Sequence, residues 1–441
     1  MGKMYFFGSL SNTSYLCKMQ FENNLSFAQQ CDSKDLLRKY KDQFYIPEVN
    51  GKPSIYFTGN SLGLQPKSAH QALNQELEDW KNLGVEGHFH GKNPWFSYHH
   101  FLTKNAALIV GAKEHEVVVM NQLTSNLHFL FISFYRPTAK RHKIIMEAAA
   151  FPSDMYMVES QVKLHGFNPE ESIIEIKPRE NEYHLRQEDI EAMIEKHKDE
   201  LALVFFSGVQ YYTGQVFNIK NITDKAHQCG AIAGFDLAHA AGNIELNLND
   251  WGVDFAAWCS YKYLNSGPGS VGGVYVNEKY ANDPTLPRLA GWWGHNEKDR
   301  FKMLKGFDPE YGAAGWQLSN APVFSMAVHK ASLEIFADAG INNLVKKGKE
   351  LNAYLEFIIL EAVKANTSLV LQIITPEAPE RGCQLSLLTN ENGKALFDHL
   401  TKNGVIADWR NPNVIRMAPV PLYNSFEDIY QFGTILQSFK N

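Results

Sequence analysis

The chain has 441 residues, of which 44% are hydrophobic and 20% charged, and its formal net charge is −6. This composition predicts a globular protein with more than one core, and the lack of a basic field disfavours nucleic acid or an anionic membrane surface as a partner. The five cysteines form no C-x-x-C pair, which argues against a disulfide framework and indicates a reducing, cytoplasmic compartment. The apolar run "LHFLFISF" is too short to span a membrane.

The N-terminal part of the chain shows helix and turn signals after an unpatterned start. We expect residues 1–18 to be a disordered extension. A helix is predicted in "SKDLLRKYKDQF" with Ser33 as its N-cap, followed by a short strand in "SIYFTGNSLG". The segment "PKSAHQALNQELEDWKNLG" is a well-patterned amphipathic helix closed by Gly84, and "VEGHFHGKNPWFSYHH" is a polar, aromatic loop.

From Ala106 onwards, helices alternate with short strands whose residues are apolar without a break. Such strands predict an α/β fold with a mostly parallel sheet covered by helices on both faces. After residue 321 the pattern becomes an α+β meander. We therefore predict an N-terminal segment at residues 19–65, a large α/β domain at 66–320 and a small C-terminal α+β domain at 321–441. The predicted strands of the large domain are "HKIIME", "SIIEIKP", "LALVFFSGV", "AIAGFDLAH", "VDFAAWCSYKY" and "GGVYVNEKY".

Candidate functional residues lie where predicted strands end, the edge at which open α/β sheets bind ligands. Asp236 ends "AIAGFD", and Lys262 follows "FAAWCSY". The pair suits pyridoxal phosphate, whose aldehyde bonds to a lysine amine and whose ring nitrogen needs a carboxylate partner. A helix N-terminus in "NQLTSNLHF", with Thr124 as cap and ligand, suits the phosphate group. Phe151 is positioned to stack on the ring.

Each of these signals is weak when taken alone. A solvated lysine and a turn aspartate are the commoner interpretations of Lys262 and Asp236. The run "GPGSVGG" lacks the ending of a P-loop, so a tight turn is favoured there. The histidines of "HFH" and "HH" could bind a metal ion, but neither cysteine nor carboxylate stands at ligand spacing. We therefore predict no metal site.

The order of the motifs is more specific than any one of them. From about Phe44 to the C-terminus the chain resembles the kynureninase family, which consists of pyridoxal phosphate enzymes of the aminotransferase class V group with the type I fold. The motifs that carry the resemblance are "YFTGNSLGLQPK", "FPSD", "FSGVQYYTGQ", "FDLAHAAGN", "SYKYLNSGPG", "GWWGH", "WQLSN" and "RMAPVPLYNSFEDIY".

The resemblance implies cleavage of L-kynurenine, or its 3-hydroxy form, by water to L-alanine and anthranilate or 3-hydroxyanthranilate. Lys262 is similar to the lysine that bonds to the cofactor, Asp236 to the partner of its ring nitrogen, and Arg416 to the arginine that holds the substrate carboxylate. Tyr261 is the candidate acid for the product carbon, which would call for a lowered phenol pKa. The positions that match cofactor-binding residues are Leu123, Thr124, Phe151, Pro152, Ser153, Asp154, Ser207, Asp236, His239, Tyr261 and Lys262.

A further set of matches concerns the subunit arrangement and the substrate ring. Trp292 and Asn320 match residues that reach the cofactor region from the neighbouring subunit of a homodimer. Ser61, His88 and Asn320 match positions near the aryl ring of the substrate. Because all three can form hydrogen bonds with a ring hydroxyl, we expect a preference for 3-hydroxykynurenine over kynurenine.

Two other functions stay open at this point. Another class V enzyme, such as a cysteine desulfurase or a transaminase, would share the fold, and so would a catalytically silent binding module. A desulfurase carries a histidine directly before the lysine and a reactive cysteine on a mobile loop. Here Tyr261 precedes Lys262, and Cys383 lies in an apolar strand pattern.

Overall fold

A computed structural model describes residues 20–283 and 285–440 of the protein. The extension predicted at residues 1–18 lies outside the described residues. The α-helices are α1 Leu25–Lys34, α2 Lys67–Leu83, α3 Gly87–His90, α4 His100–Val110, α5 Leu123–Phe134, α6 Pro152–Leu164, α7 Pro169–Ser172, α8 Gln187–Lys196, α9 Ile219–Gln228, α10 Val323–Ala339, α11 Ile341–Ala365, α12 Gly393–Lys402 and α13 Phe426–Gln437. Within the described ranges, no helix combines the length and the apolar character needed to cross a membrane.

The strands form one large sheet, one smaller sheet and two short pairs. The large sheet has seven strands in the order β4-β10-β9-β8-β7-β5-β6, and the smaller sheet has the order β11-β12-β15-β14. The strands are β1 Glu48–Val49, β2 Lys52–Pro53, β3 Ile55–Tyr56, β4 Val117–Met120, β5 Lys143–Glu147, β6 Ile173–Ile176, β7 Leu201–Ser207, β8 Ile232–Asp236, β9 Phe255–Trp258, β10 Gly272–Val276, β11 Leu371–Ile373, β12 Leu385–Thr389, β13 Val405–Ile406, β14 Asp408–Arg410 and β15 Val414–Met417.

The large sheet confirms the predicted mostly parallel arrangement. Strands β6, β5, β7, β8 and β9 are parallel to one another. Strand β10 is antiparallel to both β9 and β4. A parallel connection needs a crossover of a dozen or more residues, usually a helix. The segment from β9 to β10 is instead a glycine-rich loop that carries Lys262, so the chain returns along the neighbouring strand in the opposite direction.

Both faces of the large sheet are buried, which explains its unbroken apolar strands. Along β4, Val117 and Val119 join the core on one face, while Val118 and Met120 join the core on the other. Successive side chains of a strand point to opposite faces, so each residue needs an apolar side chain. The sequence analysis did not identify β4, because its four residues stand between two helical patterns with no turn signal of their own.

The smaller sheet has its own core, which also contains part of the N-terminal segment. Ala28, Ile55 and Phe57 pack with residues of α11, α13 and the smaller sheet. Strand β3 pairs in parallel with β13, which joins the two ends of the chain. Helix α10 begins just after residue 321 and contributes Met326 and Leu333 to a core of the large sheet. The domain boundary at residue 321 stays a prediction.

Most predicted elements are confirmed, but the first helix is wrong. Helix α1 begins after Asn24, whose side chain accepts a hydrogen bond from Phe27 N. Ser33 lies in its last turn and donates to Gln30 O, so it is not an N-cap. The residues that follow form a 3₁₀ helix at 38–43. The predicted loop before α4 also contains the single-turn helix α3. Both errors come from short-range capping that the periodicity of apolar residues does not reveal.

Candidate active site

The carboxyl ends of the parallel strands meet at one cavity of about 290 Å³. Strand β7 ends at Ser207, which lies opposite Asp236 at the end of β8, and Lys262 lies in the loop after β9. The site that the sequence predicted at this edge is therefore assembled within one chain. The cavity is lined by Gln122, Leu123, Thr124, Ser125, Phe151, Ser153, Asp154, Ser207, Val209, Tyr211, Asp236, Ala238, His239, Tyr261, Lys262, Gly269 and Ser270.

Lys262 is held at the cavity by a tight loop. Its Nζ lies 5.8 Å from the ring centroid of Phe151 and 5.8 Å from that of Tyr261. Gly63 N donates to Tyr261 O at 2.8 Å, and a Cβ atom on Gly63 would come within 2.3 Å of Lys262 O. The motif "GNSLG" therefore supports the Lys262 loop through a backbone approach that only glycine permits.

Two buried acids, Asp154 and Asp236, form an acidic wall of the cavity, and Glu147 is buried next to them behind Ser207. Burial raises the pKa of Asp236 despite the opposing charge of Lys262, and a hydrogen bond from Ala238 N holds the carboxylate in place. Burial and the neighbouring Asp236 raise the pKa of Asp154 well above its ordinary value. Burial likewise raises the pKa of Glu147 to about 7. The protein surrounds these carboxyls with too little positive charge, so the wall favours a cationic group.

Some buried polar atoms at the cavity lack the partners that pyridoxal phosphate would supply. Asp154 Oδ1 and His239 Nδ1 are buried without a hydrogen-bond partner. A protonated ring nitrogen would supply the positive charge and the donor that the acidic wall lacks. Phe151 is 41% exposed at the cavity and its ring is free to pack on a flat ligand. The residues present therefore fit the cofactor.

The phosphate end of such a ligand is matched by the N-terminus of α5. The first turn of a helix leaves N–H groups without intrahelical acceptors, and here Leu123, Thr124 and Ser125 line the cavity. Thr124 Oγ1 lies 3.1 Å from Ser153 Oγ, so two hydroxyls meet beside that turn. The N-cap residue is Gln122, and Thr124 is the second residue of the helix. The prediction that Thr124 caps the helix is therefore wrong, although its hydroxyl does line the cavity.

His239 and Tyr261 complete the polar lining. Burial lowers the pKa of His239 well below its ordinary value, and the charges of Lys262 and Arg416 act in the same direction, so its imidazole is neutral. Burial, together with the Cys259 thiol, raises the pKa of Tyr261. The protein groups alone therefore keep the Tyr261 phenol protonated, and the lowering that its role as an acid would call for does not come from them.

Arg416, on strand β15 of the smaller sheet, lies outside the cavity lining and contacts it through Tyr211. It is 1% exposed, and burial lowers the pKa of its guanidinium to about 10. Nη1 donates to Tyr211 O at 2.5 Å, and Tyr211 itself lines the cavity. Nη2 pairs with Asp408, which lies directly opposite Arg416 in the sheet register. Nε is buried without a partner, so the guanidinium keeps one donor free for a carboxylate ligand.

Other predicted residues lie outside this cavity lining. Pro152 begins α6 beside it. Trp292 is 44% exposed, and Ser61 and Asn320 are exposed as well. His88 is half-buried, with Nδ1 3.0 Å from Val85 O. We call Ser61, His88, Trp292 and Asn320 the surface group.

Two members of the surface group, His88 and Trp292, adjoin exposed aromatic side chains. The Trp292 ring lies 5.4 Å from that of Phe301, which in turn lies 6.3 Å from that of Phe89. Phe89 and Phe301 are 51% and 52% exposed, and Met303 is 70% exposed. Contiguous exposed apolar side chains of this kind mark interaction surfaces.

Three residues in or next to the site were not predicted from the sequence. Glu147 ends β5 and accepts hydrogen bonds from Ser207 N and Oγ, and the strand-end rule that found Asp236 would have found it too. Tyr211 lies in the quoted motif "SGVQYYTGQ" but had no assigned role. Asp408 carries no local signal, because its importance arises only from its pairing with Arg416 across two strands.

The buried thiols argue against desulfurase chemistry. Burial raises the pKa of Cys383 to about 12, and burial also raises the pKa of Cys259 beside the cavity. A nucleophilic cysteine needs a lowered pKa and access to solvent. Both residues are buried, at 1% and 3% exposure, so neither meets that requirement.

Comparisons with known families agree with this site. The family model for class V aminotransferases matches residues 55–375, and the model for the kynureninase C-terminal domain matches residues 344–436. Kynureninase from Flavobacterium psychrophilum is 58% identical over 95% of this chain and 99% of its own length. Kynureninase from Myxococcus xanthus is 51% identical over 95% and 97%. Kynureninase from Nematostella vectensis is 48% identical over 93% of each chain.

Solved structures show the same fold at low sequence identity. A cysteine desulfurase from Thermococcus onnurineus superposes with a TM-score of 0.69 at 17% identity, covering 87% of this chain and 94% of that one. A variant of C-DES, with glycine covalently linked to its PLP cofactor, gives a TM-score of 0.71 at 16% identity, covering 88% and 97%. The type I fold predicted from the motifs is confirmed.

Proposed function

This chain belongs to the kynureninase family, and from this we infer that it hydrolyses the Cβ–Cγ bond of L-kynurenine or 3-hydroxy-L-kynurenine. The products are L-alanine and anthranilate or 3-hydroxyanthranilate, and the cofactor is pyridoxal phosphate. The observation that carries the proposal is the convergence of Lys262 and Asp236 on one cavity with a helix N-terminus at its other end. When bound, the cofactor draws electrons away from the bonds at the substrate Cα.

The residues that would hold the cofactor follow from the cavity lining. Asp236, with Asp154 beside it, would hold the ring nitrogen, and Phe151 would pack on the ring. The first turn of α5 and the hydroxyls of Thr124 and Ser153 would hold the phosphate. Lys262 would supply the amine for the aldehyde. The buried, unpaired atoms Asp154 Oδ1 and His239 Nδ1 support this assignment, because a polar ligand would satisfy them.

The proton transfers are assigned to two neighbouring residues. Lys262 Nζ is the base that moves the proton at the substrate Cα. After water has added to the γ-carbonyl carbon and the Cβ–Cγ bond has broken, the Tyr261 hydroxyl gives a proton to Cβ. The raised pKa keeps the Tyr261 phenol protonated, and its use as the acid would require the bound cofactor to lower that pKa, because the protein groups alone do not.

Arg416 holds the α-carboxylate of the substrate. Its buried guanidinium is already fixed by Tyr211 O and Asp408, so it loses little rotational freedom on binding. Asp408 also accepts from Arg410 Nε at 3.2 Å. Asp408 is thus a positioning residue, which orients the guanidinium between two arginines.

The direct experiment is incubation of the cofactor-loaded protein with kynurenine and with 3-hydroxykynurenine. Release of fluorescent anthranilate products, with alanine formed in equal amount, would support the proposal. Transamination or release of sulfur from cysteine without any anthranilate would overturn it.

We also propose a higher kcat/KM for 3-hydroxykynurenine, because Ser61, His88 and Asn320 are polar. The cysteine usage described above supports a cytoplasmic location.

We further propose a homodimer in which Trp292 and Asn320 serve the cavity of the neighbouring subunit. Both are exposed and lie outside the cavity lining of their own chain, and Trp292 stands next to the exposed ring of Phe301. Co-refolding Lys262→Ala with Asn320→Leu tests this, because the first variant is inactive and the second is expected to lose preference for 3-hydroxykynurenine. If Asn320 acts on the neighbour, half of the dimers are heterodimers whose one active cavity is served by a wild-type Asn320, so the measured preference moves back towards the wild-type value. If Asn320 acts within its own chain, the preference stays that of Asn320→Leu.

A further inference from the structure

Three side chains with metal-ligating atoms meet at a point that is separate from the Lys262 cavity. His99 Nε2 lies 3.7 Å from Glu297 Oε1, and His100 Nε2 lies 3.1 Å from the same oxygen. The ligating atoms of the three residues all lie within 4.8 Å of one another. The two histidines precede and begin α4, whereas Glu297 is 197 residues further along the chain.

An ion pair explains only part of this cluster. The hydrogen bond from His100 to Glu297 is an ordinary surface contact, since His100 is 55% exposed. The side chain of His99 is 2% exposed, and neither of its ring nitrogens has a hydrogen-bond partner. A buried imidazole without partners costs free energy, so its orientation towards Glu297 calls for a ligand.

We propose that His99, His100 and Glu297 form a zinc-binding site with water as the fourth ligand. Zn²⁺ binds histidine nitrogen and carboxylate oxygen at about 2.0–2.2 Å, and a tetrahedron of that size has edges of about 3.4 Å. The observed separations of 3.1 and 3.7 Å lie on either side of that value. Two nitrogens and one oxygen suit Zn²⁺ better than Mg²⁺ or Ca²⁺, which take oxygen ligands.

The charges around the cluster permit a cation. Arg300 is buried nearby; its Nη2 donates to the carbonyl oxygens of Trp293 and His295, and its Nη1 is buried without a partner. Glu310 accepts a hydrogen bond from Glu297 N, so two carboxylates stand against this one arginine. The exposed side of His100 gives the ion a path from solvent, while buried His99 closes the opposite side.

The site would join two distant parts of the chain. Glu297 belongs to the segment that carries Trp292, and Trp292 Nε1 donates to Arg300 O at 3.1 Å. Bound zinc would fix this segment to the start of α4. The expected consequence is a protein that unfolds at a higher temperature with zinc than without it, because a ligand that binds only the folded state stabilises that state.

Calorimetric titration of the cofactor-loaded protein with Zn²⁺ tests the proposal. We compare the wild type with His100→Ala and Glu297→Gln, which spare the buried His99. The matched control is His90→Ala, since His90 Nε2 lies 3.5 Å from Glu86 Oε2 in an exposed histidine–carboxylate pair that lacks a third ligand. Mg²⁺ serves as the control ion.

The expected result is one zinc site in the wild type and in His90→Ala, with affinity lowered at least about tenfold in His100→Ala and Glu297→Gln. Zinc should raise the Tm of the wild type and leave that of the two ligand variants unchanged. An anomalous diffraction peak between the three side chains would locate the ion. Equal zinc affinity in the wild type and both ligand variants, or no zinc binding by the wild type, would overturn the proposal.

Discussion

The Lys262 cavity and the surface group are two parts of the same predicted site, yet only the cavity is complete within one chain. The cavity residues stand at the ends of adjacent strands or begin the helices that follow them, so the sheet brings them together. Ser61, Trp292 and Asn320 are exposed, and His88 is half-buried beside an aromatic surface. Strand pairing within the chain builds the first part, while the role proposed for Trp292 and Asn320 in the second part requires a second copy of the chain. Variants in the two parts should therefore fail in different ways.

The largest effect is expected at Lys262. Lys262→Ala removes the amine that bonds to the cofactor and moves the Cα proton, so turnover should be abolished, whereas Lys52→Ala on the exposed β2 strand should leave the rate unchanged. Anthranilate release by the cofactor-loaded variants is the measurement. Because the defect lies inside one chain, a copy with an intact surface group cannot repair it at the same cavity. A wild-type rate in Lys262→Ala would remove the basis of the assignment.

Asp236 should give the next largest effect, and it acts on cofactor retention as well as rate. Asp236→Ala removes the carboxylate that faces the ring nitrogen, so the variant should lose cofactor during dialysis that the wild type survives. The measurement is the cofactor content after dialysis, with the exposed Asp224→Ala as the control. Full retention together with normal turnover in Asp236→Ala would contradict the pairing.

Arg416 tests the cavity from the side of the smaller sheet. Arg416→Lys keeps the positive charge but loses the planar fork, so kcat/KM should fall by about a hundredfold, mainly through a higher KM. Arg179→Lys changes an exposed arginine that pairs with Asp189 and should have no effect. Steady-state kinetics on both substrates is the measurement. If Arg416→Lys kept the wild-type KM, the guanidinium would not hold the substrate carboxylate.

The sequence predicted the cavity better than it predicted its surroundings, for a physical reason. Asp236 and Lys262 follow continuous apolar strands, and the strand-end rule applies to them without knowledge of distant contacts. Asp408 and Glu297 gain their roles only from partners far along the chain, which no local pattern encodes. The antiparallel direction of β10 could not be predicted, because the loop between β9 and β10 has no sequence pattern that tells a parallel connection from an antiparallel one. The prediction of Ser33 as an N-cap was wrong because the helix begins nine residues earlier, after Asn24.

The surface group should affect substrate choice more than rate. Replacing His88 and Asn320 together with leucine removes two candidate partners of the ring hydroxyl, so the preference for 3-hydroxykynurenine should shrink by about threefold to tenfold. The measurement is the ratio of kcat/KM values for the two substrates. Ser97→Ala, in the short helix at residues 95–97, is the control. A wild type that prefers kynurenine, or an unchanged ratio in the double variant, would exclude these residues as determinants of preference.

The smallest effect concerns the stability of the folded protein, which the buried Glu147 lowers when it is ionised. The folded-state pKa of Glu147 is raised to about 7 by burial, so the native state holds its proton more tightly than the unfolded chain does. Its contribution to stability is therefore fully present below pH 4.5 and is lost as the pH rises to about 7. Glu147→Gln keeps an oxygen acceptor for Ser207 but cannot ionise.

The Tm of the cofactor-free protein at two pH values measures this cost. Glu147→Gln should unfold a few degrees above the wild type at pH 8, and the difference should be smaller at pH 5. Glu182→Gln removes a half-buried carboxylate that pairs with Arg186, and it should show no such gain with rising pH. A difference that stays the same at both pH values would mean that Glu147 is not the group that titrates.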